Sequence, residues 1–132
     1  MAEAVIRVLI CDDHPVVRRG LSALLSAADD VEVVGTAGDG EEAVAMVTEY
    51  EPDIVLMDVS MPGMDGMEAT RRVITARPET RVVMLTSFSG HERIKTALDA
   101  GAVGYILKDS KPDEVLKGIR SAARSADTSE DL

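Results

Sequence analysis

The stretch Val5-Ile6-Arg7-Val8-Leu9-Ile10-Cys11-Asp12-Asp13 decides the fold: an apolar run of strand length that ends on two adjacent acids. A second run of this kind, Ile54-Val55-Leu56-Met57, ends on Asp58. Short runs rich in Val and Ile read as buried parallel strands when helical patterns separate them. Such a pattern follows at once: Pro15 suits a first helical turn, and Val17, Leu21, Leu24 and Leu25 recur at helical spacing. Strands are expected near 5–11, 31–35, 53–58, 81–86 and 103–107. A second helix is expected from Gly40, with Ala43, Val44, Met46 and Val47 on its apolar side. A third runs from Gly66 to Arg77 and stops before Pro78, since the residue preceding proline disfavours the helical region. A fourth starts near Gly90-His91 and ends at Ala100-Gly101, and a fifth begins at Pro112 and fades past Ser121. Strict alternation of strand and helix implies a parallel sheet with right-handed crossovers and helices on both faces.

The bulk composition narrows the function. A chain of 132 residues fits one domain, expected over 1–124, with 125–132 a polar, acidic tail or the start of a linker. The net charge of −10 argues against nucleic acid binding by this domain alone, because phosphate contacts need clustered Lys and Arg. The single Cys11 cannot form an internal disulfide, fits a reducing compartment and reads as a small hydrophobe at the end of the first strand. The chain has no signal peptide pattern and no apolar run of membrane-spanning length, so a cytoplasmic location is expected. Aromatics are limited to Tyr50, Phe88 and Tyr105, which leaves aliphatic side chains and methionines to fill the core.

In an open α/β sheet, functional groups gather at the carboxyl ends of the strands. Here those ends carry Asp12 and Asp13, Asp58, Thr86-Ser87 and Lys108. Polar residues often begin loops, but that does not explain matched chemistry at four of five strand ends. Three converging carboxylates repel one another by on the order of 4 kcal/mol per pair at about 4 Å and an effective dielectric of about 20. A hard divalent cation relieves this, and Mg²⁺ held by one or two carboxylates plus phosphate oxygens is the common form. The cluster suits phosphoryl chemistry.

The motifs Asp12-Asp13-His14-Pro15-Val16-Val17-Arg18-Arg19-Gly20 and Pro52-Asp53-Ile54-Val55-Leu56-Met57-Asp58 resemble those of the receiver domain of two-component response regulators. So do Met61-Pro62-Gly63-Met64-Asp65-Gly66, Leu85-Thr86-Ser87 and the stretch from Ala100 to Asp109. The resemblance covers about residues 5–122, with the five motifs in order. Its first and last stretches are similar to the NarL/FixJ class, whose members usually carry a LuxR-type helix-turn-helix after a linker. It implies a flavodoxin-like (CheY-like) doubly wound five-stranded parallel sheet of order 2-1-3-4-5 with five helices. Carried over by position, it makes Asp58 the phosphoacceptor through a mixed acyl phosphate. Mg²⁺, with Mn²⁺ an acceptable substitute, is then ligated by Asp13, Asp58 and the backbone carbonyl of Ser60, while Asp12 binds it through water or orients the other ligands. Thr86 and Lys108 hold phosphoryl oxygens, small Ser87 lies beside them, and Tyr105 is the aromatic that swings inward on activation. Ser60 and Phe88 match places that tune dephosphorylation. The implied partners are a sensor histidine kinase and a second copy of the chain. The dimer contact lies through the first and fifth helices, or through the face formed by the fourth helix, fifth strand and fifth helix.

Other assignments fit less well. A flavodoxin-like electron carrier needs a Ser, Thr and Gly-rich loop after the first strand and aromatic rings for the flavin. An aspartyl-phosphate hydrolase places its nucleophile after the first strand with a second acid two residues on; here the acceptor follows the third strand and Ser60 takes the place of that acid. A pseudo-receiver would normally lack one of the acids, Thr86 or Lys108. As a signalling switch, the domain is not expected to be a turnover enzyme. Gly63 and Gly66 read as structural, Glu41, Glu42, Glu49 and Glu51 as a solvated acidic face, and His14 and His91 as exposed loop or helix-start residues. The chain departs from many receivers in having Asp109, not proline, after Lys108. That leaves the isomer of this peptide bond open, since a cis bond without proline costs about 2.5–4 kcal/mol.

Overall fold

Five strands alternate with helices along the chain: β1 (Ile6–Cys11), α1 (Pro15–Ser26), β2 (Val31–Ala37), α2 (Gly40–Tyr50), β3 (Ile54–Asp58), α3 (Gly66–Ala76), β4 (Arg81–Thr86), β5 (Gly104–Leu107) and α4 (Pro112–Glu130). The computed structural model describes residues 5–59, 61, 63–64, 66–86, 95–96 and 98–130, with side chains described to residue 124. The sheet is parallel throughout, in the order β2-β1-β3-β4-β5. This is the expected doubly wound, flavodoxin-like arrangement. Of the helix expected near 90–100, residues 95–96 and 98–99 are helical; 90–94 and 97 lie outside the described residues.

The bare apolar runs follow from position in the sheet. β3 is central, and all five of its residues are buried, so it shows no polar alternation. Alternate residues nonetheless serve two different cores. Leu9, Val55, Met57, Val82 and Met84 face α2 and α3, where Ala43, Val47, Ala69 and Val73 meet them. Val8, Ile10, Ile54, Leu56, Val83 and Leu85 face the other way, against Leu25 of α1 and Val115 and Ile119 of α4. The methionines among the described residues serve the first core: Met57, Met61 and Met84 are within it, and Met46, Met64 and Met67 pack against it. They fill gaps, as expected of a flexible thioether.

Local chemistry sets the helix ends. Asp39 accepts from the Glu42 amide at 2.8 Å while the Glu42 carboxylate accepts from the Gly38 amide at 2.7 Å, a reciprocal cap that starts α2. Gly101, at φ 116°, takes a left-handed conformation that favours glycine, before β5. The helical backbone of α4 continues to Glu130, past the point near Ser121 where apolar periodicity fades. Ala122 is still buried against the core shared with α1, so the apolar stripe of α4 itself runs past Ser121.

Ile119 is fully buried where α4 meets the sheet. Ile119→Val is expected to lower stability by about 1 kcal/mol, read as a shift in the urea midpoint at unchanged slope. An unchanged midpoint would show that α4 is not anchored through this face.

Candidate functional site

Strand register brings the polar strand ends to one edge. Cys11 pairs with both Ala37 and Met57, Asp58 pairs with Leu85, and Thr86 pairs with Leu107. The Asp12 amide donates to the Ala37 carbonyl at 3.1 Å, and the Lys108 amide donates to the Thr86 carbonyl at 2.8 Å. Asp12, Asp58, Thr86 and Lys108 are therefore placed by the ladder itself rather than by mobile loops.

The side chains converge as expected. The Lys108 ammonium lies 3.0 Å from Asp12 Oδ2 and 3.1 Å from Asp58 Oδ2. Asp12 is fully buried, Asp58 is 1% exposed, and Thr86 is buried beside them at the end of β4. Asp13 is partly buried. Two strongly desolvated carboxylates thus share one cation. Burial alone would push the Asp12 carboxyl upward, but the His14 amide and the Lys108 ammonium outweigh it and hold the group below the usual carboxylate range. Burial likewise opposes the Lys108 charge, and the paired carboxylates Asp12 and Asp58 overcome it and raise the ammonium above its usual value.

The linkage signs follow. A lowered Asp12 contributes stability that is present above its unfolded value of 3.8 and lost as pH falls through the folded one. A raised Lys108 contributes stability present below its unfolded value of 10.5 and lost as pH rises through the folded one. Between these limits the pair holds stability flat. In chelator, urea midpoints of wild type and Asp12→Asn are expected to differ in slope only below about pH 4. A difference in slope centred near neutrality would refute this assignment.

The acids could also hold a cation. One ligand atom from each of Asp12, Asp13, His14 and Asp58 falls within 4.8 Å of all the others. Buried Asp12 Oδ2 and Asp13 Oδ1 accept no well-aligned hydrogen bond; each has only an ion-pair contact, with Lys108 and His14 respectively. Three carboxylates with one ammonium leave two negative charges uncompensated, the charge of one divalent ion. The hard oxygen donors fit Mg²⁺ or Mn²⁺.

The remaining residues are placed as follows. Tyr105 stands 46% exposed on β5. Cys11 is buried; desolvation, then the carboxylates around it, push its thiol up to about 12, so it is no nucleophile. A Cβ on Gly66 would lie 2.3 Å from the Asp58 carbonyl oxygen, so its structural assignment stands. The Lys108–Asp109 peptide is trans, and no cis bond occurs among the described residues. Ser60, Ser87, Phe88 and His91 lie outside the described residues. Two participants were not anticipated. His14 is exposed, yet its Nδ1 reaches Asp12 Oδ1 at 2.9 Å and Asp13 Oδ1 at 3.1 Å, and Arg18 donates to the Asp12 carbonyl. The adjacency of His14 to two acids was the available signal for the first.

The model of the response regulator receiver domain family matches residues 8–120. The chain belongs to that family. This receiver is 44% identical over 119 residues to the transcriptional regulatory protein LiaR of Bacillus subtilis (strain 168), covering 90% of the chain and 56% of LiaR. It is 48% identical over 111 residues to the uncharacterized transcriptional regulatory protein YhcZ of the same organism, covering 84% of the chain and 52% of YhcZ. Among solved structures, the signal receiver domain of the response regulator NarL from Mycobacterium tuberculosis superposes with a TM-score of 0.88 at 36% identity, covering 92% of this receiver and 98% of that one. The receiver is thus of the NarL/LuxR type, and it spans about half the length of the curated relatives it matches. Receiver domains of response regulators are signalling switches that act with histidine kinases. Among the described residues, no helix is long and apolar enough to cross a membrane.

Proposed function

We propose that this receiver is switched by transfer of a phosphoryl group from a sensor histidine kinase to Asp58. The observation that carries this is the Lys108 ammonium bridging buried Asp12 and Asp58 at the carboxyl edge of the sheet. An Asp58 oxygen attacks phosphorus as the P–N bond to the donor imidazole breaks; the donor leaves as histidine and the product is an acyl phosphate. Lys108 then exchanges its contact with the Asp58 carboxylate for one with a phosphoryl oxygen, as a compact point charge. Thr86 donates its hydroxyl to another phosphoryl oxygen. Asp13, Asp58 and the Ser60 carbonyl would hold Mg²⁺, with Asp12 orienting them; the ion supplies charge neutralisation at the transferring group.

The consequence is a changed surface. Tyr105, already exposed on β5, is the proposed aromatic reporter of the Thr86 shift. That surface, or the one built from α1 and α4, is proposed to pair two receivers and so control a LuxR-type DNA-binding domain in transcription. In this reading the receiver is a cytoplasmic switch, not a turnover enzyme, with 1–124 as its domain and 125–132 an acidic tail or the start of a linker.

Untagged wild type with a small acyl phosphate donor is expected to gain one phosphoryl mass in Mg²⁺ and none in chelator. Uptake unaffected by chelator would overturn metal-assisted transfer; no uptake from the donor or from histidine kinases would make this a pseudo-receiver.

A further inference from the structure

We infer that His14 is a metal ligand in this receiver, and that it tilts the acid site toward late first-row divalent ions such as Co²⁺ over Mg²⁺. The inference rests on the proposed metal role of Asp12, Asp13 and Asp58 and adds a nitrogen to that all-oxygen set. Its basis is the aim of the ring. The His14 side chain is 61% exposed, so nothing in a packed core dictates its orientation. It nevertheless turns Nδ1 inward, to 2.9 Å from Asp12 Oδ1 and 3.1 Å from Asp13 Oδ1. Carboxylates only accept, so Nδ1 donates to Asp12 Oδ1 and at the same time stands within ion-pair distance of Asp13 Oδ1, facing both acids. The backbone reinforces the placement: the His14 amide donates to Asp12 Oδ1 at 2.8 Å, closing a turn that holds residue 14 over the acids.

The spacing also fits. Two ligands of an ion at about 2.1 Å can lie at most about 4.2 Å apart. The four candidate atoms here lie within 4.8 Å of one another, so a shift of a few tenths of an ångström per side chain, on the order of ordinary thermal displacement, closes the set. For coordination, the proton on Nδ1 passes by way of solvent to Nε2. The freed Nδ1 lone pair then faces the site. Imidazole nitrogen binds borderline ions well, whereas Mg²⁺ keeps oxygen ligands and sheds water reluctantly. His14 therefore strengthens Co²⁺ binding and contributes little to Mg²⁺ binding.

The test is calorimetric titration of untagged wild type, His14→Ala and Asp13→Asn with Co²⁺ and with Mg²⁺, in one buffer at fixed pH. X-ray absorption at the cobalt edge on the equimolar complexes identifies the ligands. His14→Ala is expected to lose about tenfold or more in Co²⁺ affinity with little change for Mg²⁺, and to lose the outer-shell scattering of an imidazole seen in wild type. Equal losses for both ions, absence of imidazole scattering in wild type, or its persistence in His14→Ala would each overturn the inference. A different failure marks the underlying assignment: if neither ion binds wild type better than Asp13→Asn, the acids are not a metal site and the role of His14 falls with them.

Discussion

Asp58→Asn protein, incubated with Mg²⁺ and a small acyl phosphate donor, is expected to gain no mass under conditions that fully phosphorylate the wild type. Three acids compete for the role of acceptor, and geometry separates them. Asp12 already accepts from the His14 amide and imidazole through Oδ1 and faces Lys108 through Oδ2, so both of its oxygens are engaged. Asp13 is the most exposed of the three and is paired with His14. Asp58 ends the central strand, buried, with Lys108 at 3.1 Å ready to follow the charge onto a transferred group. The amide is nearly isosteric with the carboxylate and is no nucleophile, so the variant keeps its shape and loses its chemistry. Removing one of three crowded charges relieves repulsion, and metal-free Asp58→Asn is expected to melt no lower than wild type. Lys108→Ala, by contrast, retains the acceptor and is expected to slow uptake by roughly 10²-fold, the usual cost of losing one charge-stabilising group. Intact mass over time reads all three proteins. Equal uptake by wild type and Asp58→Asn would move the nucleophile to Asp12 or Asp13.

Much of this architecture is legible in the sequence because the sheet is buried on both faces. The runs 6–11, 54–58 and 81–86 are apolar almost without interruption, and that signal places strand and acid together. Pro15 and the Gly38-Asp39-Glu42 cap mark helix starts through local chemistry alone. Strand order is different in kind: alternation requires parallel crossovers but leaves the permutation open, and the order came from resemblance to receivers. The helical backbone of α4 runs past Ser121, where apolar periodicity no longer signals it. The inward aim of His14 was missed for a related reason. A histidine before proline reads as a helix start, and its contact with Asp12 and Asp13 exists only once the backbone turns there. The exposure of Tyr105 depends on which face of β5 meets α4, which four residues of alternation could not decide.

Gly66→Ala is expected to be the most destabilising single-methyl change in the described site, because the added carbon has no room and its neighbours cannot yield. Its Cβ would stand 2.3 Å from the Asp58 carbonyl oxygen and 2.9 Å from Val59 Cα, both main-chain atoms. The same glycine donates its amide to the Val59 carbonyl at 3.2 Å, and Val59 in turn donates to the Leu85 carbonyl at 3.0 Å. Relief of the clash must therefore push the start of α3 away from β3 and loosen the bonds that hold the acceptor strand to β4. Side-chain overpacking typically costs about 1–3 kcal/mol, and a clash against backbone goes beyond that range, to about 4 kcal/mol. Gly40→Ala is the internal control, since its Cβ would meet only side chains, Met64 and Ala69, at 3.0 Å or more. The thioether of Met64 can rotate aside, while Ala69 Cβ must give by a few tenths of an ångström, so Gly40→Ala is expected to cost about 1–2 kcal/mol, well short of Gly66→Ala. Urea unfolding of both variants at equal slope measures the difference, and phosphoryl uptake by Gly66→Ala under folding conditions reports the second effect. Because the displaced atoms are those of Asp58 and Val59, uptake is expected to fall even where the protein remains folded. A Gly66→Ala protein with wild-type stability and wild-type uptake would mean that α3 and the acceptor strand approach each other less closely than 2.3 Å implies.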